Sequence, residues 1–258
     1  MTKVRLILFL AFTLLLSSCL EIKETYTLQE NGSYAMEYSV DVSNMIILFQ
    51  SMSEEAPAEL SAFKVVDTMI NYDNIFPDSV KKYVDSKTLS LLTKTNFYLK
   101  MDMANGAFLT KINSQGSSIS DLETLLKSYD DILNLGEEKI MNSFIFKTRS
   151  EKGYQSRNTL SNEDFEYTIT PHSFERKLTD DAIEKYKGRD TANLEMILSN
   201  ADIDLNIMTT LVINLPRPVK STGNKNATLS ADKKQFSLKV NLIKAAGNPE
   251  LLNFKIIY

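Results

Sequence analysis

The sequence predicts an α+β fold, an antiparallel sheet built from hairpins with several helices packed on one face. Three observations predict it. Apolar and polar residues alternate strictly in three pairs of segments, each pair joined by a short turn. Leucine-rich stretches with helical spacing lie between those pairs. Hairpins interrupted by helices, with no Gly/Ser- or Pro-rich linker between them, read as one sheet covered on one side.

The first hairpin alternates Leu20, Ile22, Tyr26 and Leu28 against Glu21, Lys23, Thr25, Thr27 and Gln29. After Asn31-Gly32 it resumes with Tyr34, Met36, Tyr38, Val40 and Val42. Facing residues of a hairpin point to the same side, so a two-residue Asn-Gly turn, which sets Leu28 against Ala35, mixes the faces. A three-residue loop Glu30-Asn31-Gly32 sets Leu28 against Tyr34, Tyr26 against Met36 and Ile22 against Val40, with glycine where a left-handed residue is required. A second hairpin joins Phe97–Met103 to Ala107–Asn113; a tight Asn105-Gly106 turn pairs Met103 with Phe108 and Leu99 with Ile112. A third joins Asn226–Ser230 to Gln235–Leu242, its four-residue loop Ala231–Lys234 setting Leu229 against Phe236. Further strands are expected at Ser143–Arg149, Asp164–Thr170, Ser173–Leu178, Ile207–Leu215 and Asn253–Tyr258.

The clearest helix starts at Ser120, where Glu123 completes a capping box and Leu122, Leu125, Leu126, Tyr129, Ile132 and Leu133 share one face. A second runs from Asp180 to Lys187, with acids in its first turn and Gly188 behind it, and a third spans Thr191–Ser199. Ser43–Met52, Glu59–Ile70 and Asp78–Asp85 also read as helical. Gly116–Ser118 and Glu151–Asn162 are the candidate domain boundaries within a single domain over residues 19–258.

The start of the chain has a different character. Lys3 and Arg5 precede an apolar run of 11 residues, Leu6 to Leu16, and then come Ser17, Ser18 and Cys19, the only cysteine. A helix of that length rises about 16 Å, too short for a hydrocarbon core of about 30 Å. The layout resembles a bacterial lipoprotein signal peptide over residues 1–18, with Leu16-Ser17-Ser18-Cys19 as its lipobox. That resemblance implies that the Cys19 thiol is joined to a diacylglycerol, that the chain is cut before Cys19, and that the new amino terminus receives a further acyl chain such as palmitate. Two or more chains anchor stably where one does not. The competing reading is an ordinary secretory signal with an incidental thiol. It leaves an exported cysteine with no disulfide partner, and Leu20-Glu21 offers no alternative cleavage pattern. Leu20 stands where an Asp implies inner-membrane retention, which favours the outer membrane; the exposed side of that membrane stays open.

Removal of residues 1–18 leaves 240 of the 258, and loss of Lys3 and Arg5 takes the net charge from −4 to −6. An acidic balance argues against nucleic acid as a partner. With one cysteine and one histidine, His172, zinc, copper and haem lack their usual ligands, so no metal or cofactor is expected. His172 sits in a turn-like Thr170-Pro171-His172-Ser173 with no nucleophile elbow in the chain, and no Gly-rich phosphate loop occurs among eight glycines. The pairs Asp130-Asp131 and Asp180-Asp181 read as solvated charge at helix ends rather than as a glycosidase pair.

Three features are weighed as candidate binding elements. Glu24 lies on the apolar parity of the first hairpin, opposite Tyr38; a hydrogen bond to Tyr38 is the plain reading and a ligand contact the sharper one. Met45-Ile46-Ile47-Leu48-Phe49 has no polar stripe and reads first as a buried core helix, then as a pocket wall, then as a contact with membrane or partner. Arg217, Lys220, Lys225, Lys233 and Lys234 gather on loops around the third hairpin, as a solvated loop end or a headgroup-facing patch.

Thr209–Lys220 with its following hairpin and closing strand, together with the Cys19-to-Asp41 opening, resembles LppM-like envelope lipoproteins. The resemblance implies an α+β domain at the cell envelope and, for some members, binding of lipid or glycolipid. Three classes stay open. The first is a non-enzymatic binding or structural module anchored through acylated Cys19, with an envelope protein as its partner. The second is a carrier of a lipid or other hydrophobic ligand, with a curved sheet and the Ser120–Leu133 helix enclosing an apolar cavity. The third, an enzyme, has no motif in its support.

Overall fold

The structure, a computed structural model, describes residues 20–52, 60–71, 74, 81–82, 85–127, 164–186 and 207–258. The expected signal segment and Cys19, the strand at 143–149, the helix at 191–199, the loop at 151–162, Asp130-Asp131 and the far half of the Ser120–Leu133 helix lie outside these residues.

Alternation drives the first strands together as the sequence predicts. Strand β1 (Leu20–Leu28) pairs antiparallel with β2 (Tyr34–Asp41), placing Leu28 opposite Tyr34, Tyr26 opposite Met36 and Glu24 opposite Tyr38. Gly32 takes φ +81° in the loop, and its amide donates to the Gln29 carbonyl. Helix α1 (Ser43–Met52) follows, then β3 (Val66–Asn71), α2 (Ser86–Leu92) and β4 (Thr95–Asp102). A single 3-10 turn over Met103–Asn105 leads into β5 (Ala107–Gly116), and α3 (Ile119–Lys127) packs back on it.

The expected helix Glu59–Ile70 is corrected in its second half. Val66–Asn71 is a strand, because Val66, Thr68 and Ile70 alternate with Asp67, Met69 and Asn71 and fill the free edge of β4. Most of the expected helix Asp78–Asp85 lies outside the described residues; its last residue, Asp85, is the N-cap of α2, its Oδ1 accepting from the amides of Lys87 and Thr88. The second hairpin closes two residues earlier than predicted, with Met101 opposite Phe108 and Phe97 opposite Ile112. Asp102 accepts from the Asn105 amide and holds the 3-10 turn, which Gly106 ends at φ +70°. Helix α3 begins one residue before the expected Ser120: Ser118 Oγ accepts from the Ser120 amide, and Glu123 pairs with Lys127 rather than closing a capping box. Gly116–Ser118 is the short connection between β5 and α3, which share one core.

Next come β6 (Phe165–Thr170), β7 (Ser173–Leu178), α4 (Asp180–Tyr186), β8 (Ile207–Asn214), β9 (Ser221–Thr222), β10 (Ala227–Leu229), β11 (Gln235–Asn241), α5 (Leu242–Gly247) and β12 (Phe254–Ile257). The third hairpin sets Leu229 against Phe236 as predicted, but Leu242 starts α5, capped by the Asn241 side chain, instead of extending the strand.

The strands form two sheets among the described residues. One has eight strands in the order β10-β11-β8-β1-β2-β5-β4-β3, the other four in the order β6-β7-β12-β9. The fold is α+β, with one correction to an all-antiparallel reading: β8 lies parallel to β1, Leu20 beside Ile207 and Tyr26 beside Ile213. A second correction concerns the cover. The apolar face of the large sheet is not closed by a helical layer alone. Over β1 and β11 the smaller sheet closes it through a run of tilted rings, Tyr26 on Phe174, Phe174 on Phe254 and Phe254 on Phe236, with centroids 5.4–5.5 Å apart. Leu91 and Leu92 of α2 and Leu122, Leu125 and Leu126 of α3 belong to the same buried core.

Candidate functional site

The predicted lipidation residue is immediately followed by a built-in strand. Leu20, one residue after Cys19, is already the first residue of β1, and β1 lies in the interior of the large sheet between β8 and β2. Glu21 pairs with Asp41 at that end of the sheet, and α1 begins two residues beyond Asp41. The turn Met103–Gly106 reaches the same end, where the Gln50 side-chain amide of α1 donates to the carbonyls of Met103 and Ala104.

The expectation of a buried helix at Met45–Phe49 is corrected. Only Ile46 is buried in this stretch; Met45 is 39% exposed, and Ile47 and Phe49 are each 51% exposed. The sequence shows the absence of a polar stripe, but not which neighbours exist. Among the described residues, the fold supplies an inner neighbour to one side of the helix and none that buries the rest.

Glu24 is the second candidate. Its oxygen Oε2 accepts the Tyr26 hydroxyl at 2.9 Å and pairs with Arg176 Nη1 at 3.2 Å. Arg176, on β7 of the smaller sheet, is 4% exposed; its Nε donates to the Leu252 carbonyl, and its guanidinium lies 5.1 Å from the ring centroids of Phe165 and Phe254. Burial alone lowers the Arg176 pKa, but the Glu24 carboxylate, with Tyr167 and Tyr26, outweighs it and raises it. Burial and then the charge of Glu24 push the Tyr26 hydroxyl well above its ordinary value. Both Glu24 oxygens, the Tyr26 hydroxyl and the Arg176 Nε and Nη1 groups have internal partners, so this cluster stitches the two sheets. Arg176 escaped the sequence reading, although the signal is there: Phe174, Arg176 and Leu178 share one parity, which places a charge among inward-facing apolar residues.

The basic loop residues sit mostly at the other end of the sheet. Arg217 follows β8 and grips Glu30 of the first hairpin loop, Nη2 to Oε2 at 2.7 Å, while its Nη1 donates to His172 Nδ1 at 3.0 Å. The Arg217 hydrogen bond lowers the Glu30 pKa. Lys220 Nζ donates to the Tyr258 carbonyl oxygen. A shallow groove of about 200 Å³ opens here, lined by Glu30, Gly32, Ile119, Pro171, Arg217 and Tyr258. Eight residues of β8 separate Arg217 from the Leu20 end, roughly 26 Å at strand rise. Arg217 and the β10–β11 loop lysines Lys233 and Lys234 therefore lie at the opposite end of β8 from Leu20.

A second groove, of about 350 Å³, lies on the solvent face of the large sheet among Thr25, Thr27, Glu37, Asn96, Asn113 and Gln115. Asp164 is buried and bound by Lys185 Nζ and the Tyr186 hydroxyl, each at 2.8 Å, which pins α4 to the start of β6. Asp180 and Asp181 are exposed in the first turn of α4, where they complement its amide end. Among the described residues no three His, Cys, Asp or Glu side chains gather for a metal ion, and no helix is long and apolar enough to cross a membrane.

No family model matches the chain, and no curated protein matches it. Among solved structures, the folded domain of LppM from Mycobacterium tuberculosis, determined by NMR, superposes with a TM-score of 0.39 at 8% sequence identity, covering 94% of this chain and 91% of that one. A superposition that loose does not establish a common fold.

Proposed function

We propose that this chain is a lipid-anchored lipoprotein of the bacterial cell envelope, held through acylated Cys19 at the outer membrane. Its folded body is a non-enzymatic binding or structural module with an envelope protein as partner. The observation that carries the reading is the junction itself: the lipobox cysteine abuts Leu20, and Leu20 already belongs to an interior strand of an eight-stranded sheet. A diacylglyceryl group on Cys19 thus attaches to the body without a tether, and any load on the anchor passes into β1 and its two neighbouring strands. The tilted rings between the sheets fill that part of the interior, which supports a module over a carrier of a hydrophobic ligand.

The test is fractionation of a bacterial host expressing the full chain or Cys19→Ser, with cross-linking in intact cells. The reading expects wild-type protein in the membrane fraction after a high-salt wash, a soluble or uncleaved Cys19→Ser form, and a discrete cross-linked partner. Wild-type protein recovered as soluble, or a stoichiometric lipid beyond the anchor, contradicts it.

A further inference from the structure

Among the described residues, four of the seven exposed large apolar side chains lie at the end of the sheet where Leu20 begins β1; Met69 on β3, Leu229 on β10 and Ile257 on β12 are exposed elsewhere. Met45, Ile47 and Phe49 of α1 are 39%, 51% and 51% exposed, and Val65, just before β3, is 63% exposed. Val66 pairs with Met101, one residue from the turn that α1 touches, so Val65 belongs to the same end of the sheet. Cys19 and Ser43 each stand two residues beyond the Glu21–Asp41 pair. Two residues span at most about 7 Å and the pair about 5 Å, so the anchor and the start of α1 lie within roughly 20 Å.

Helix α1 has an unusual composition for a surface element. Its ten residues, SNMIILFQSM, include no charge. Ile46 faces the core and Gln50, one turn on, is held by the Met103–Ala104 carbonyls, which fixes the inner side of the helix. Met45 and Phe49 are four residues apart and lie side by side on the surface. Two nearby carboxylates are engaged locally, Asp41 accepting from the Ser43 amide and Asp102 from Asn105, while Glu21, opposite Asp41, is exposed at the same end.

We propose that α1, with Val65 at the same end of the sheet, rests in the interfacial layer of the same bilayer that holds the Cys19 acyl chains, so that the protein docks on its anchor end with a fixed orientation. This rests on the lipid-anchor reading above. The occupant is the membrane because the anchor brings that surface, and no other, against this end by construction. An apolar ten-residue helix lying flat enters the headgroup and acyl boundary by burying side chains, not by pairing charge. The docking is therefore insensitive to salt, and it turns the Glu30–Arg217–His172 end toward the aqueous side.

The chain contains no tryptophan, so one substitution makes a single fluorescent reporter. The full-length protein, acylated in a bacterial host, is prepared as Phe49→Trp, Val65→Trp and Leu229→Trp. Leu229, 38% exposed on β10, lies beside Phe236, which is level with Tyr26 far along β1. Each form is placed in phosphatidylcholine vesicles with plain or brominated acyl chains, and the mass of the Cys19 peptide is recorded. The proposal expects the indoles of the Phe49→Trp and Val65→Trp forms to be blue-shifted, to lose most of their emission to brominated chains and to resist iodide, with the Leu229→Trp form showing the reverse. Iodide quenching of the first two forms equal to that of Leu229→Trp, with the diacylglyceryl mass present, overturns the docking and leaves the anchor standing. Blue-shifted emission that brominated chains do not touch overturns it in favour of a second copy, another protein or another part of this chain as the cover. A Cys19 peptide without the acyl mass overturns the anchor reading and the docking with it.

Discussion

Arg176 reaches from the smaller sheet to Glu24 of the larger one, Nη1 to Oε2 at 3.2 Å, across 152 positions of sequence. Both partners are largely out of water, at 4% and 14% exposure. In such a setting the pair does not add much over an apolar contact, but half of it is costly, because the remaining charge has no solvent to turn to. Glu24→Ala is therefore expected to destabilise the protein by about 3–5 kcal/mol. The double variant Glu24→Ala/Arg176→Met recovers a large part of that loss, because the methionine meets Phe165 and Phe254 without a charge. Urea unfolding of Glu24→Ala, Arg176→Met and the double variant beside the parent checks this; a double variant as unstable as the sum of the two single changes contradicts it.

Two glycines with similar backbone angles are expected to respond differently. Gly32 has φ +81° with open space where a Cβ projects, so Gly32→Ala carries backbone strain alone, about 1–2 kcal/mol. Gly106 has φ +70°, and a Cβ there falls 2.6 Å from Ile47 Cγ1, so Gly106→Ala adds a clash with α1. The prediction is a larger fall in the unfolding midpoint for Gly106→Ala, together with faster hydrogen exchange in Ser43–Met52. Equal falls, with α1 undisturbed, contradict the packing of α1 on that turn.

Alkali should unfold the protein by way of buried tyrosines. Burial pushes the Tyr258 hydroxyl from 10.0 up to about 12, only partly countered by Arg217, and Tyr26 is also raised. Both groups favour the fold while neutral, so their contribution is fully present below pH 10; that of Tyr258 is lost as pH rises from 10 through about 12, and that of Tyr26 likewise falls only on the alkaline side of 10. Tyrosinate absorbance followed alongside circular dichroism tests this. Late-ionising tyrosines that appear together with loss of the fold are expected, with the late phase reduced in Tyr258→Phe. Ionisation of all tyrosines in one step near pH 10, with the fold intact, is the contrary result.

What could be read in the sequence was local. The register of the first hairpin followed from parity and from the glycine at its third loop position, and the third hairpin followed likewise. The second hairpin slipped by two because one side chain, Asp102, chose the turn. The sequence reads Glu59–Ile70 as helical. That reading failed in its second half because the free edge of β4 was available to a Val-Thr-Ile alternation. The parallel pairing of β1 with β8 joins residues 187 positions apart, and no pattern within either strand specifies it. Within the candidate site, Glu24 and Arg176 both sit on the apolar parity of their strands, but only the fold shows that the two charges meet. The exposure of Met45, Ile47 and Phe49 was likewise invisible, since an all-apolar helix reads as core until its neighbours are known.

The anchor is the claim on which the functional reading stands, and one mass tests it. Full-length protein expressed in a bacterial host is extracted from membranes, digested, and its amino-terminal peptide weighed. The account predicts a peptide that begins at Cys19, carries a diacylglyceryl group on the sulfur and bears a further acyl chain on the α-amine. A peptide that retains residues 1–18, or a Cys19 with a free thiol in protein recovered from the soluble extract, contradicts it.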